Sequence, residues 1–168
     1  MSVVYHIMSE SLYEKATEFK VNPSSCGNHE HYETYLCHNA IIEAKQGLGI
    51  TYVFLDEDTN EIHGYVTIKA SSLIGTYDNV GYPAIEISEL AVSERYEHKG
   101  LGREMVSFVI GLTDEMGIGI QWLLLCSDPQ SVGFYEKCGL QKIPSHQNIP
   151  RESWNQTCVP MGKRIRQF

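Results

Sequence analysis

Between Ala84 and Gly102 the chain reads Ala-Ile-Glu-Ile-Ser-Glu-Leu-Ala-Val-Ser-Glu-Arg-Tyr-Glu-His-Lys-Gly-Leu-Gly, a strand that runs into a Gly-x-Gly turn with an amphipathic helix directly behind it. Ile85 and Ile87 share one face of that strand, whereas Leu90 and Val92 fall on the opposite parity. The slip, around Ser88 and Glu89, predicts a β-bulge. A bulge leaves backbone N–H groups unpaired, which suits an extended ligand that must hydrogen-bond to main chain. At the far end, Gly100 and Gly102 place N–H donors without an intervening Cβ at a helix N-terminus, where the dipole favours an anion such as a phosphate.

The rest of the chain supplies the partners of this unit. Leu101, Met105, Phe108, Val109, Leu112 and Met116 trace a 3.6-residue stripe that Gly117 ends. Gln121 to Cys126, with Trp122-Leu123-Leu124-Leu125 at its centre, is a continuous apolar run, the pattern of a central parallel strand covered on both faces. Asp128 at an N-cap and Pro129 behind it open a short helix through Phe134, Tyr135 and Cys138, closed at Gly139. Upstream, Val3 to Met8 reads as a first strand, and Asn22, Pro23, Ser24 and Ser25 carry turn chemistry. Tyr32, Leu36, Ala40 and Ala44 form a helical repeat capped by Gly47. Ile50 to Leu55 and Ile62 to Ala70 make an antiparallel pair around the polar run Asp56 to Glu61, and a last strand covers Thr157 to Lys163. This order predicts a mixed α/β sheet with a right-handed crossover between the bulged strand and the central one.

At 168 residues, without repeats or low-complexity linkers, the chain is expected to form one domain over residues 1–168. Its cysteines, Cys26, Cys37, Cys126, Cys138 and Cys158, are odd in number and lack a C-x-x-C pair, so they are expected to be reduced thiols. No stretch approaches the roughly 18 apolar residues of a membrane span, and the first residues lack a basic segment ahead of their apolar run. A cytoplasmic protein with no membrane partner is the expectation. The formal charge of −8 works against non-specific attraction to nucleic acid or anionic lipid. The densest basic patch, Lys163, Arg164 and Arg166, reads as a solvated terminus.

Together these residues resemble the GNAT superfamily of N-acetyltransferases, which bind acetyl-CoA in a V-shaped split between two neighbouring parallel strands. Leu90-Ala91-Val92 looks like the family's bulged fourth strand, and His98-Lys99-Gly100-Leu101-Gly102 resembles its pyrophosphate loop. Asp128-Pro129-Gln130-Ser131-Val132-Gly133-Phe134-Tyr135-Glu136-Lys137-Cys138-Gly139-Leu140 resembles its N-x-x-A-x-x-F-Y-x-K-x-G-F helix. The resemblance implies a mostly antiparallel central sheet, split between two parallel strands and flanked by helices. It also implies acetyl-CoA as co-substrate, held by Leu90, Ala91, Val92, Glu97, His98, Lys99, Gly100, Leu101, Gly102, Arg103, Asp128, Ser131 and Phe134. Glu97 stands where the family usually has Gln or Arg, Asp128 where Asn is common and Leu140 where Phe is usual. A carboxylate at 97 repels a pyrophosphate unless Arg95, Lys99 or Arg103 offsets it. A narrower likeness, carried by Cys26-Gly27-Asn28, Thr51-Tyr52-Val53-Phe54 and Val159-Pro160-Met161, is to the branch that includes toxins acetylating aminoacyl-tRNA.

In a direct transfer the amine loses a proton and the departing thiolate gains one. The resemblance makes Tyr135 the candidate acid, with Phe134 packed inward and the phenol facing the split. The N–H of Leu90 or Val92 would hold the thioester carbonyl. Glu89, at the expected bulge, is the candidate base, ahead of Glu86 and Ser88, although an α-amine of pKa near ~8 is partly neutral unaided. Cys26, His29, His31, Cys37 and His38 have poor spacing for a metal, since residues two apart face different sides of a helix, and no metal is expected. Cys126 and Cys138 lack an evident basic partner, so buried inert thiols are expected rather than a nucleophile. The leading expectation is acetyl transfer to a primary amine, of a small molecule or a protein, within a ternary complex. A toxin acting on charged tRNA, disfavoured by the net charge, and a non-catalytic acyl-CoA-binding module are the alternatives. The first helix, the loop before it and the segment from Pro144 to Trp154, with His146, Gln147, Arg151 and Trp154, would wall the acceptor side. Oligomeric state stays open, with a homodimer among the options because dimers are common among proteins that this chain resembles.

Overall fold

The computed structural model describes residues 3–75, 77–144, 147–148 and 158–166. The chain folds into two compact units, one of Met1–Ile68 with Glu89–Met105, the other of Lys69–Ser88 with Val106–Phe168. Its elements run β1 (Val3–Ile7), α1 (Tyr13–Glu18), α2 (His29–Thr34), α3 (Ala40–Lys45), β2 (Ile50–Asp56), β3 (Ile62–Gly75), β4 (Gly81–Val92), α4 (Leu101–Glu115), β5 (Trp122–Ser127), α5 (Val132–Lys137), β6 (Gln141–Lys142), β7 (Gln147–Asn148) and β8 (Val159–Arg164). The strands join in the order β1-β2-β3-β4-β5-β8-β6, with β7 on β3, a mixed sheet in which β4 and β5 are parallel.

In the first unit, β1, β2 and the start of β3 form an antiparallel ladder, from Val3 opposite Asp56 to Ile50 opposite Ile68. The β2–β3 turn forms because Asp56 Oδ1 accepts from the N–H of Asp58 at 3.0 Å and of Thr59 at 2.9 Å, while Asn60 takes the left-handed conformation. Thr51 and Thr67, opposite each other, share a buried 2.7 Å hydrogen bond. The helices bury Leu12, Ala16, Phe19, Leu36 and Ala40 against Val53, Leu55, Ile62 and Tyr65. α1 was not expected: its run is mostly polar, and only Leu12, Ala16 and Phe19 mark its inner face.

The expected helix over Tyr32 to Ala44 is interrupted by a π-helical turn, Tyr35–Asn39. A strict four-residue spacing outruns the 3.6-residue period by about 40° per turn, and one wide turn restores it. Leu36 and Ala40 are both buried as a result. Gly47 ends α3 in the left-handed region at φ 71°, with the Leu48 N–H on the Glu43 carbonyl at 2.9 Å and the Gly47 N–H on Ala44 at 3.1 Å.

In the second unit, Ala84–Ile87 pairs in parallel with Trp122–Leu125, and β8 runs antiparallel to β5 from Trp122 opposite Arg164 to Ser127 opposite Val159. β5 is central and parallel to β4, as its apolar run requires, with Leu123, Leu124 and Leu125 buried. Cys126 and Cys158 form a disulfide, which corrects the expectation of reduced thiols for these two. They are 32 apart in sequence, and the antiparallel ladder of β5 and β8 brings them together. The basic tail is also not simply solvated. The Arg166 guanidinium donates to the Thr113 carbonyl at 2.8 Å and to Asp114 Oδ1 at 2.6 Å, closing the C-terminal turn of α4 where a cation is favoured. No helix among the described residues is long and apolar enough to cross a membrane.

Candidate functional site

The β4–β5 ladder ends at Ile87 opposite Leu125, yet β4 continues to Val92 and β5 to Ser127. Beyond Val92 the chain turns. The Ser93 N–H bonds the His63 carbonyl at 2.8 Å, the Glu94 N–H bonds the Lys20 carbonyl at 2.9 Å, and α4 begins at Leu101. His98 and Gly100 take positive φ, 59° and 88°, and a Cβ at Gly100 would meet nothing within 4 Å. The Glu104 N–H closes the first helical bond on the Gly100 carbonyl at 3.1 Å. Helix geometry leaves the preceding N–H groups, through Arg103, without intrahelical acceptors, at the positive end of a 15-residue dipole.

Gly64 on β3 seats this turn, a role that the sequence did not announce. A Cβ there would lie 3.0 Å from the Ala91 carbonyl oxygen, 3.1 Å from Leu101 Cδ2 and 3.2 Å from Met105 Cε. Only glycine lets the end of β4 and the first turn of α4 approach β3 so closely.

The side chains of the loop are already engaged. Arg95 pairs with Glu61 at 3.1 Å, and the Tyr96 hydroxyl donates to the same carboxylate at 3.1 Å. The Tyr96 ring stacks on buried His63 at 3.4 Å between centroids, and Lys99 Nζ lies over the Tyr96 ring at 5.0 Å from its centroid. Burial holds the His63 imidazole below its ordinary pKa, and its Nε2 has no partner among the described residues. Glu97 accepts from Asn22 Nδ2 at 3.0 Å and Ser25 Oγ at 3.1 Å. Two uncharged donors from the Asn22–Ser25 turn hold it, with His98 Nε2 further off at 4.0 Å, while Arg95 pairs with Glu61 and Lys99 lies over Tyr96.

Glu89, only 15% exposed, meets His31 of α2, whose Nε2 lies 3.0 Å from both carboxylate oxygens. In the other unit, Glu86 is buried on β4, and desolvation raises its pKa, opposed by a hydrogen bond from Ser71 and the charge of Lys69. Ser88 Oγ, also in that unit, is buried with no partner among the described residues.

On α5 the burial corrects the expectation that Phe134 packs inward: Phe134 is 36% exposed, and Tyr135 is the more buried ring at 9%. Adjacent helix positions differ by about 100°, so only one of the pair can face the core. Asp128 occupies the N-cap position of the Pro129–Ser131 turn without a side-chain capping bond, while the Ser131 N–H bonds its carbonyl at 2.9 Å. Gly139, at φ 88°, ends the helix with the Leu140 N–H on the Tyr135 carbonyl at 3.0 Å. Leu140 packs fully inside, as the apolar contact of such a cap requires. His146, Arg151, Trp154 and Thr157 lie outside the described residues, and of Gln147 only the backbone is described.

A strand that outlasts its parallel ladder and then turns through a positive-φ glycine into a long helix is the arrangement in which the sequence agrees with a known group. The model of the acetyltransferase (GNAT) family matches residues 9–140. The chain belongs to the GNAT acetyltransferase family. No curated protein matches it in sequence. Among solved structures it is similar to one described as a bacterial toxin, at 14% identity, TM-score 0.78, covering 98% of this chain and 91% of that one. It is also similar to AtaTR bound with AcCoA, at 15% identity, TM-score 0.70 and coverage of 94% and 91%. A third is AtaT complexed with acetyl-methionyl-tRNAfMet, at 13% identity, TM-score 0.72 and coverage of 95% and 94%. At these identities the likeness is one of fold. In a GNAT protein the donor set around Gly100 fits a diphosphate, because it consists of main-chain N–H groups at a helix start, with nothing within 4 Å of the Cβ position of Gly100. His31, Asn22, Ser25 and Gly64 were missed as parts of this region, since each acts through a partner far away in sequence.

Proposed function

We propose that this chain is one N-acetyltransferase domain that moves the acetyl group of acetyl-CoA to a primary amine by direct attack in a ternary complex. The observation that carries the reading is the early end of the β4–β5 ladder in a strand that leads straight to the Gly100 turn and α4. Bound acetyl-CoA would supply an activated thioester; the chain's residues position it and handle protons. Main-chain N–H groups of Lys99 to Arg103 hold the diphosphate, and those of Leu90 or Val92 hold the carbonyl and the negative charge that develops on it. His98, Asp128, Ser131 and Phe134 complete the cofactor side of the proposal, and Glu97 serves it through its backbone. Tyr135 gives a proton to the departing sulfur, with Glu89 on the side of the amine.

A second reading, acetylation of the α-amine of aminoacyl-tRNA, gains support from the fold shared with AtaT over nearly the whole chain, while the charge of −8 opposes it. A cytoplasmic setting belongs to the same proposal, and the Cys126–Cys158 disulfide weighs against a strongly reducing one.

Labelled acetyl-CoA incubated with cell extract and fractionated into RNA, protein and metabolites tests both readings. Label in protein or metabolites supports the first, and label confined to RNA supports the second. On whichever amine is labelled, Tyr135→Phe is expected to lower turnover about 100-fold with acetyl-CoA affinity within about twofold of wild type. Equal turnover removes Tyr135 from the chemistry, and release of no free CoA from any fraction leaves only a binding module.

A further inference from the structure

His63, the second residue of β3, is 3% exposed, and its carbonyl takes the Ser93 N–H at 2.8 Å where the chain leaves β4. Three residues on, the Tyr96 ring lies flat against the imidazole, 3.4 Å between centroids and 18° between planes. The Tyr96 N–H bonds the Ser93 carbonyl at 2.8 Å, and its hydroxyl donates to Glu61 Oε2 at 3.1 Å, beside Arg95 on Oε1 at 3.1 Å. Ser93 by its main chain, and Tyr96 by its ring and hydroxyl, are thus fixed to His63 and Glu61. Nε2 of His63 is buried and has no partner among the described residues.

We propose that neutral His63 is the positioning residue on which the loop from Ser93 to Gly100 is seated, and that a proton taken up by its ring unseats the loop. That the loop serves a diphosphate rests on the acetyltransferase reading above; its seating does not. A neutral imidazole can leave Nε2 as a bare lone pair. In the cation both ring nitrogens carry N–H, so Nε2 becomes a buried donor with no acceptor among the described residues. The charged groups around the ring divide. Glu61 and Asp56, the latter held ionised by the Thr59 and Asp58 N–H groups, favour the cation, and Lys99 opposes it. Glu61 is shared with Arg95 and with the Tyr96 hydroxyl, which burial keeps protonated. Lys99 Nζ already lies over the Tyr96 ring at 5.0 Å, so a second cation stacked on that ring meets repulsion. Burial outweighs the two carboxylates and holds the imidazole below its ordinary pKa. The sign follows: the seated loop is at full stability above the ordinary value near ~6.5 and loses stability as the pH falls below it. Because Lys99 to Arg103 come next in the chain, an unseated loop takes the proposed diphosphate donors with it.

The experiment follows amide hydrogen exchange at Ser93, Glu94 and Tyr96 in the 15N-labelled protein without ligand, at about pH 7.5 and 5.5 and corrected for intrinsic rates, together with NMR titration of the His63 ring. Wild type is compared with His63→Phe, which keeps an aromatic platform and takes up no proton. The wild-type loop is expected to open up to about tenfold more often at the lower pH, the ceiling one unit below the ordinary histidine value, and the variant to change less than about twofold. The His63 ring is expected to stay mostly neutral near pH ~6.5, where an ordinary histidine is half protonated. A wild-type change below about twofold, the same change in both proteins, or a His63 ring half protonated at or above that pH overturns the proposal. If His63→Phe does not fold, the wild-type ring titration decides alone. A separate titration with coenzyme A at about pH 7.5 tests the acetyltransferase reading: no binding at millimolar levels overturns that reading and leaves the seating of the loop standing.

Discussion

The loop from Glu94 to Gly100 and the segment from Asn22 to Tyr35 touch each other, yet they use opposite halves of the chain's chemistry. In the loop the side chains are engaged inside the protein: Arg95 on Glu61, Tyr96 on His63, Glu97 on Asn22 and Ser25, Lys99 over Tyr96. What is left for a ligand is main chain and the exposed imidazole of His98. In the segment from Asn22 the main chain is used up by a turn and a helix, and the side chains reach outward. Asn22 and Ser25 hold Glu97, Glu33 accepts from Lys20 Nζ and the Val21 N–H at 3.0 Å each, and His31 holds Glu89. A backbone site needs only the right φ angles and is written locally, in glycines. A side-chain site is written in pairs whose members stand up to 75 residues apart.

Gly64→Val strikes hardest at the backbone half. The nearest obstacle to its Cβ is the Ala91 carbonyl oxygen at 3.0 Å, which is main chain and cannot rotate away. Denaturant unfolding is expected to show a loss of about 3 kcal/mol, at the upper end for overpacking, together with weaker binding of acetyl-CoA as α4 is displaced. Unchanged stability would mean that the close approach of β3, β4 and α4 does not hold the loop.

The smallest expected effect concerns the junction of the two regions. Glu97→Ala leaves Asn22 and Ser25 without their shared acceptor and is expected to cost about 1 kcal/mol, with Glu97→Gln recovering part of it. Acetyl-CoA affinity should stay within about twofold in either variant, because the donors to the ligand are amides. A tenfold change would place the carboxylate in the ligand site and erase the contrast between the loop and its neighbour.

The same contrast explains what could be read from the sequence. The α4 stripe, the Asp56–Glu61 turn and the glycine caps at Gly47 and Gly139 were legible because periodicity and positive φ are local properties. α1 was not, since three buried residues in a polar run fall below any periodic signal. The π-helical turn leaves its mark in the sequence as a four-residue spacing that an α-helix cannot sustain, but the same residues also fit an ordinary helical stripe. Which of Phe134 and Tyr135 turns inward depends on the rotation of a short helix against its neighbours, and neither aromatic ring announces it. The disulfide needed the β5–β8 register, and the His31–Glu89 pair needed α2 laid against β4.

The most direct test of the central claim is the change in backbone amide signals of the 15N-labelled protein on titration with coenzyme A. The account predicts that the largest shifts fall on Leu90 to Val92 and on Lys99 to Arg103, saturating together. Shifts concentrated elsewhere, or none at millimolar coenzyme A, would contradict it.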